Sequence, residues 1–419
     1  MADAPKSEVD GPGIDKRGIA AWCVYDWANS AFTTVIITFV FATYFTKSVA
    51  ADPVIGSAQW SFAISASGLA VALLAPVLGA IADRGGPRKP WILVFTSMAV
   101  LATGALWFVE PDQHFLYLAL IAAAVANIGF EMGGVFYNAM LPDIAPRPMI
   151  GRVSGWAWGL GYIGGLACLV VILAGFDTGS VVQVRATSLL VAAWFAVFAV
   201  PLFLLTPDIP GSGLPPGQAI REGVRQLWST FRRVGLYGGI ARFLLARMIY
   251  NDGLVTLFTM GGVFAAGSFG MSLSEVLQFA VLINIAAGLG AAAFAWVDDW
   301  IGPKRTILLS LVGLVVLGVV VLTGESKTTF LIAGSALGIF VGPAQAASRS
   351  MMAHLAPEGL HTEMFGLFAF SGKATAFLGP FAFGLITTLT GSQRWGMASI
   401  LVFFIVGALL MLPVQDARR

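Results

Sequence analysis

Carboxylates set inside long apolar stretches are the residues of this chain best suited to chemistry. Asp26 lies in a run from Ile19 to about Val49 whose only other charge is near its end. An ionisable group inside a membrane helix costs at least ~2.5–3.5 kcal/mol on insertion scales, so it usually faces a cavity or a partner. Glu131 and Asp252 lie in later apolar stretches. Carboxylates in such places can change protonation or exchange ion-pair partners, as a transporter requires.

A polar stripe surrounds Glu131. Asn127, Glu131, Gly134 and Asn138 are spaced by four, three and four residues, which places them on one face of a helix. The stripe is consistent with a cavity wall. The alternative is a set of hydrogen bonds that holds helices together, worth about 0.6 kcal/mol per contact. An ionisable group exceeds what such packing requires, so the pattern favours the cavity.

Further polar residues interrupt later apolar stretches, and Asn29 follows Asp26 by one helical turn. They are Tyr250, Asn251, Asp252, Gln345, Arg349 and Lys373. Gln345 precedes Arg349 by one turn, so both lie on one helical face. Arg247 lies nearer a helix end, and we expect its long side chain to snorkel to the membrane surface.

The composition is that of an integral membrane protein. Of 419 residues, 58% are hydrophobic and 11% charged, whereas soluble domains carry roughly 25% charged residues. A net charge of +2 gives no indication of nucleic-acid binding. Cys23 and Cys168 lie in apolar surroundings and the histidines lack ligand spacing, so we expect neither a disulfide nor a metal site. No phosphate loop or nucleophile–base set is recognisable, which predicts a protein without cofactor that is not an enzyme.

Twelve stretches approach the ~20 apolar residues that cross a bilayer. They run near 19–47, 59–82, 90–109, 115–141, 152–175, 187–206, 238–265, 274–297, 306–323, 329–355, 363–390 and 395–413. The polar segment 207–237 is rich in Pro, Gly and Arg, which indicates a cytoplasmic linker. The predicted organisation is therefore a tail (1–18), six helices (19–206), the linker, six helices (238–413) and a second tail (414–419).

The distribution of Lys and Arg predicts the orientation. The loops after odd-numbered stretches hold only Lys47, Arg185, Lys327 and Arg394, whereas the tails and the other loops hold most remaining bases. Because positive charge is retained on the cytoplasmic side, we expect both termini to be cytoplasmic.

A loop pattern occurs twice. An acidic residue is followed by glycine and bases after the second and the eighth stretch. The first copy holds Asp83, Arg84, Arg88 and Lys89, and the second holds Asp299, Lys304 and Arg305. The copies lie 216 residues apart, and Pro142 and Pro357, after the fourth and tenth stretches, lie 215 apart. These offsets predict a duplicated six-helix unit with parallel repeats. The alternative is two basic turns that follow the charge bias alone.

Several segments carry a family resemblance. YDWANSAFTTVIITFVFATYF (25–45), GAIADRGGPRK (79–89), FYNAMLPDIA (136–145) and SGWAWGLGYIGG (154–165) resemble the vacuole-effluxer-like branch of the major facilitator superfamily. The resemblance extends through IYNDG (249–253), QAASRS (345–350) and FGLFAFSGKATAFLGP (365–380). It implies an all-α membrane protein with two pseudo-symmetric six-helix bundles. It also implies amino-acid efflux, which is the activity of the fungal relatives. The short loops suggest a bacterial-type member, a monomer in the inner membrane.

In that fold, helices one, four, seven and ten line the central path, and Asp26, Glu131, Asp252 and Arg349 fall one on each. The loop pattern would pair acid and bases across helix ends as an inner gate. The second copy has Ala295 in place of Gly79 and Trp300 in place of Arg84, so we expect it to hold more weakly.

Depth separates the charged residues into two levels. At ~1.5 Å per residue, Asp26, Arg349 and Lys373 lie roughly 9–15 Å from the cytoplasmic face. This predicts a charged cluster that acts as a gate. Alternatively, Arg349 and Lys373 bind a substrate carboxylate. Glu131 and Asp252 lie near mid-depth and are the candidates for coupling to a proton or another cation.

The sequence thus predicts a secondary active transporter of small polar solutes, most plausibly amino acids, that works by alternating access and proton coupling. The residues expected to hydrogen-bond to the solute are Asn127, Asn138, Tyr250, Asn251 and Gln345. Two alternatives remain: a carrier of amphiphilic, lipid-like or drug-like molecules, and a receptor or scaffold without transport.

Overall fold

The described part of the chain contains twelve helices that can cross a membrane, as predicted. The computed structural model describes residues 15–177, 180–232 and 238–415, and its regular elements there are all helices. Twelve are long and apolar enough to cross a membrane, so the chain is a multi-pass membrane protein. They are α1 (Lys16–Val49), α2 (Ile55–Gly85), α3 (Lys89–Phe108), α4 (Gln113–Ile144), α5 (Arg147–Gly175), α6 (Val181–Leu205), α7 (Gly238–Phe269), α8 (Glu275–Ile301), α9 (Pro303–Thr323), α10 (Lys327–Leu355), α11 (His361–Thr390) and α12 (Gln393–Met411).

The helices begin and end at local signals that hydropathy alone does not show. Asp15 accepts a hydrogen bond from the backbone of Gly18 at the start of α1. Ser272 and Glu275 form a capping box before α8, which ends at Gly302 with φ of 92°. Because polar caps extend the helices beyond the apolar core, most are a few residues longer than predicted.

Two long contacts join the first six helices to the last six. Helix α2 packs along α11, and α5 packs along α8. Small residues permit both approaches. A methyl group on Gly155 of α5 would lie 2.7 Å from the carbonyl oxygen of Ala291 on α8. A methyl group on Gly366 of α11 would lie 2.7 Å from the carbonyl carbon of Ala75 on α2. Close helix contact of this kind is typical of membrane bundles.

The linker contains an amphipathic helix, Pro216–Arg232, which we call the linker helix. Its Gly223 lies against the backbone of α2 at Ile81. Before it, the Asp208 carboxylate accepts from the backbone N–H groups of Arg88 (3.0 Å) and Lys89 (2.8 Å). We call this end of the helices the linker side. The predicted tails lie largely outside the described residues, as do residues 233–237 of the predicted linker.

Helix α11 is broken. The predicted continuous span consists of two helical segments, His361–Lys373 and Leu378–Thr390, joined by the turn Ala374–Phe377. Pro380 lies in the first turn of the second segment, where it cannot donate to the carbonyl of Ala376. Ala374 and Phe377 keep helical backbone angles and the Leu378 N–H donates to the Thr375 carbonyl at 2.8 Å, so the turn is a local tightening of the helix. The residues that contact this turn are therefore candidates for the functional site.

Candidate functional site

Asp26 and Arg349 form an ion pair that joins α1 to α10. The Arg349 Nη1 atom lies 2.9 Å from Asp26 Oδ2. It also donates to Asn138 Oδ1 at 3.1 Å, which adds α4 to the cluster. On α5, Ser154 accepts from Nε at its hydroxyl (2.9 Å) and from Nη2 at its carbonyl (2.6 Å). The guanidinium of α10 is thus held by three other helices.

Aromatic rings enclose the same guanidinium. Its central carbon lies 5.0 Å from the ring centroid of Trp22, 5.8 Å from that of Tyr137 and 5.5 Å from that of Trp158. A cation over an aromatic face is stabilised by about 0.5–2 kcal/mol. Only 3% of the Arg349 side chain is exposed. The site fixes this cation in position, and sequence reasoning missed Ser154 and the rings.

Lys373 belongs to a second ion pair. Its Nζ lies 2.6 Å from Glu131 Oε1, which joins α11 to α4. The predicted cluster of Lys373 with Asp26 and Arg349 is therefore wrong. Lys373 lies about 18 Å along α11 and Asp26 about 15 Å along α1, so their depths are similar, and the pairing differs because the Lys373 side chain faces α4. Glu131 lies about 20 Å from the end of α4 on the same side. This pair is more open, with 33% of the lysine and 23% of the glutamate side chain exposed.

The predicted polar residues of α7 contact the break in α11. Asn251 Nδ2 donates to the carbonyl of Gly372 at 3.1 Å. Asp252 Oδ1 accepts from Thr375 Oγ1 at 3.2 Å, within the turn itself. One turn earlier, Arg247 Nη1 donates to the Phe368 carbonyl at 2.6 Å. Arg247 thus lies against α11 and does not snorkel as expected, because α11 supplies acceptors close by.

Tyr250 and Asn127 have protein partners. The Tyr250 side chain is buried and its hydroxyl lies 2.7 Å from Ser348 Oγ on α10. Because this contact lies within the last six helices, the structure contradicts the expectation that Tyr250 faces the solute. Asn127 is buried as well and donates to Ser67 Oγ of α2 at 2.8 Å, which is the packing alternative for that end of the stripe.

Gln345 and Asn29 complete the predicted set. Gln345 Oε1 accepts from the Tyr162 hydroxyl at 2.7 Å, a contact between α10 and α5. Asn29 is buried, and its Oδ1 accepts a weak bond from Ser30 Oγ at 3.4 Å. The predicted residues thus divide into two charged bridges, a group at the α11 break, and residues engaged in packing.

On the linker side, the first loop copy contacts α11. Asp83 Oδ1 and Oδ2 accept from the backbone N–H groups of Thr362 (2.9 Å) and Glu363 (2.8 Å). A carboxylate at these positions caps the helix and complements its dipole. Arg88 donates to the Thr362 hydroxyl at 2.9 Å and forms an ion pair with Asp143. Asp83 and Arg88 thus connect the first six helices to the last six.

The second copy makes the equivalent contact in reverse. Asp299, at the end of α8, accepts from the backbone N–H of Arg152 at 3.0 Å and from its Nε at 2.9 Å. Arg152 lies in the first turns of α5, so this carboxylate also caps a helix of the other set. The second copy has Trp300 where the first has Arg84, and the contact between Asp299 and Arg152 forms nevertheless.

The other residues of the predicted inner gate form contacts elsewhere. Arg84 donates to Gln226 of the linker helix at 2.7 Å, and Lys89 Nζ donates to the carbonyl of Phe203 on α6 at 3.0 Å. Lys304 Nζ donates to the carbonyl of Leu412 at 2.8 Å, and Arg305 is exposed. Of the predicted pairing of acid and bases across helix ends, Arg88 keeps its part, with Nη2 3.8 Å from Asp83 Oδ1. Arg84, Lys89 and Lys304 instead donate to neutral oxygens.

Twelve helices in two contacting sets, with charged bridges between the sets, define a transporter of the major facilitator superfamily. The structure resembles the human organic anion transporter MFSD10 with a TM-score of 0.76 over 96% of this chain and 100% of that chain, at 15% identity. The model of the vacuole effluxer Atg22-like family matches residues 14–419. The chain belongs to that family, whose members are transporters and not enzymes.

Two relatives illustrate the range of the family. The chain is 30% identical over 408 residues to the uncharacterised MFS-type transporter YxiO of Bacillus subtilis, covering 94% of each chain. It is 24% identical over 373 residues to autophagy-related protein 22 of Kluyveromyces lactis, covering 79% of this chain and 74% of the relative.

Proposed function

We propose that this protein is a secondary active transporter of amino-acid zwitterions that works by alternating access and is coupled to protons. The observation that carries the proposal is the Glu131–Lys373 pair, a carboxylate and an ammonium 2.6 Å apart and partly exposed between the two sets of helices. Each charge has a counterpart of opposite sign in a zwitterion. A bound amino acid can therefore present its ammonium to Glu131 and its carboxylate to Lys373.

Charge balance supports this class of solute. Separating this partly exposed ion pair costs less than separating a buried one, and a ligand that gives both charges new partners removes the remaining cost. A zwitterion supplies both at once, whereas an amphiphile without charges supplies neither. Substrate binding would thereby compensate for the loss of a contact between α4 and α11, which is a physical link between binding and opening.

Alternating access requires contacts that break as a set. The linker side is held by two contacts: Asp83 of α2 binds the start of α11, and Asp299 of α8 binds the start of α5. The Asp26–Arg349 pair lies deeper in the membrane. All three join the first six helices to the last six, so opening on this side must release all three. We place the linker side in the cytoplasm of a bacterial cell because most Lys and Arg residues of the loops lie there.

The direction of transport is inferred from the family. Its description as a vacuole effluxer supports export of the solute. MFSD10 is described as an organic anion transporter. Organic anions are the second candidate class because the Arg247 guanidinium contacts α11 through the neutral oxygens of Phe368 and Ser371, which leaves its charge for an anionic solute.

Counterflow in proteoliposomes tests the proposal. Vesicles loaded with one unlabelled amino acid are diluted into the same labelled compound, and exchange is followed for zwitterionic, cationic and anionic amino acids and for organic anions. We expect exchange of zwitterions above protein-free vesicles, and its loss in Glu131→Gln. The matched control is Glu275→Gln, which breaks the exposed Glu275–Lys327 pair at the other end of the helices. Exchange of organic anions alone, or of none of these solutes, would overturn the proposal.

A further inference from the structure

The Asp252 carboxyl group is buried in the membrane interior without a counter-charge. Only 1% of the residue is exposed. Its Oδ1 accepts from Thr375 Oγ1, and its Oδ2 has no hydrogen-bond partner in the described part of the chain. An ionised carboxylate in such a place loses its hydration with little in return. The group is therefore compatible with this structure chiefly when it carries a proton.

The bases on the surrounding helices are engaged with other groups. On α7 itself, Arg247 donates to carbonyl and hydroxyl oxygens of α11. On α11, Lys373 is paired with Glu131, and on α10, Arg349 is paired with Asp26. Helices α8 and α12 carry ionisable residues only near their ends. Within the described residues, no ion pair neutralises Asp252.

The break in α11 connects this group to the Glu131–Lys373 pair. Thr375, which donates to Asp252, lies two residues from Lys373, and both belong to or border the turn Ala374–Phe377. The turn thus contacts α7 through one side chain and α4 through the other. Interrupted membrane helices are typical of ion and substrate sites in transporters, since the irregular backbone can adjust there.

We propose that Asp252 is the proton-binding group of this transporter and that the α11 turn transmits its protonation to the Glu131–Lys373 pair. The inference rests on the proposed function and selects between its two candidate acids. The proton binds to Oδ2, the oxygen without a partner, and leaves from the same atom to water. Once ionised, Asp252 no longer suits its buried position, and the turn whose Thr375 donates to it must adjust, which reaches Lys373 two residues away.

Glu131 is assigned a different role, which is to bind the ammonium group of the solute. Its carboxylate already binds an ammonium group, that of Lys373 at 2.6 Å, so an amino-acid ammonium can take the same place. A sodium site at Asp252 is the competing idea. The oxygens available to a sodium ion there are the Asp252 carboxylate, the Thr375 hydroxyl and the Met248 carbonyl. The Met248 carbonyl lies 3.5 Å from the Thr375 hydroxyl.

Two assays on the full chain in proteoliposomes separate coupling from exchange. Counterflow needs no net proton movement, whereas accumulation against a gradient does. One pH unit supports roughly tenfold accumulation for one proton. We expect Asp252→Asn, a mimic of the protonated acid, to exchange solute within about twofold of the wild type but to lose pH-driven accumulation. Glu131→Gln should lose both. Proton flux reported by a pH dye inside the vesicles should follow accumulation.

The outcomes are distinct. Absence of counterflow in the wild type overturns the proposed function itself. Counterflow with pH-driven accumulation intact in Asp252→Asn, or with accumulation driven by sodium instead, overturns the proton site alone. Thr375→Val provides a second variant that keeps the acid. Because the hydroxyl stabilises the ionised carboxylate, its removal should shift the pH dependence of accumulation to higher pH, and an unchanged profile counts against the link through the turn.

Discussion

The two charged bridges differ in how completely their charges are enclosed. Arg349 donates to Asp26, Asn138 and Ser154 and is surrounded by aromatic rings, with 3% of its side chain exposed. Lys373 is 33% exposed and has one ion-pair partner, Glu131. The first bridge is built as a fixed part of the structure. The second is built so that its partners can be exchanged.

This difference teaches which bridge should carry stability and which should carry transport. A buried pair is costly to break because the charge left behind stays desolvated, by about 3–5 kcal/mol. An exposed pair contributes about 0–1 kcal/mol, since water replaces the lost partner. Substitutions in the Asp26–Arg349 bridge should therefore lower the unfolding free energy. Substitutions in the Glu131–Lys373 bridge should mainly reduce transport.

The largest effect is expected for Arg349→Met. The substitution leaves the Asp26 carboxylate without its cation, and we expect a loss of about 3–5 kcal/mol in unfolding free energy. Thermal unfolding of the detergent-solubilised protein measures the change. Arg242→Met, an exposed position at the start of α7, is the matched control and should unfold like the wild type.

The double variant Asp26→Asn with Arg349→Met sharpens this test. Removing both charges should restore much of the lost stability, because no unpaired charge is left. A charge swap should restore less, since a carboxylate at 349 would face the carbonyl of Ser154. If the double neutral variant is as unstable as Arg349→Met, the enclosure of this bridge is not what stabilises the protein.

The second prediction concerns Lys373→Met, which should act mainly on transport. We expect unfolding free energy to change by about 1 kcal/mol or less, whereas counterflow of amino acids falls to background. Lys327→Met is the control, since Lys327 pairs with Glu275 at 3.2 Å away from the proposed path. A loss of stability as large as that of Arg349→Met, with exchange retained, would contradict the distinction between the bridges.

Local composition predicted the helices, because spans of about 20 apolar residues and the Lys/Arg bias depend on nearby sequence alone. The pairing of side chains depended on depth and rotation. Lys373 was placed with Asp26 because their depths are similar, yet depth alone does not show which neighbouring helix a side chain faces. Tyr250 was assigned to the path because it neighbours Asp252, yet successive helical residues point in different directions. The break in α11 had a signal in Pro380, which the uninterrupted hydropathy concealed.

The third prediction extends the comparison to the linker side, with Asp83→Ala against Asp83→Asn. Alanine removes the acceptor for two backbone N–H groups at the start of α11, at a cost of about 1 kcal/mol in the closed state. This corresponds to a fivefold or so shift of the equilibrium toward opening. Asparagine keeps one acceptor oxygen and should shift it less. Spin labels at Pro90 and Glu358, both exposed, report the distance across this side, and equal distributions for the two variants would contradict the capping role.

The smallest effects are expected where the two loop copies differ most in sequence. Arg84 donates to Gln226 of the linker helix, and Trp300 in the second copy is 82% exposed. The contacts that Asp83 and Asp299 make between the two sets of helices are hydrogen bonds to Thr362, Glu363 and Arg152. We therefore expect Trp300→Arg to change unfolding free energy by less than about 0.5 kcal/mol and to leave the distance distribution unchanged. A marked closing of the linker side in Trp300→Arg would mean that the arginine itself strengthens the gate, and that the capping carboxylates do not act alone.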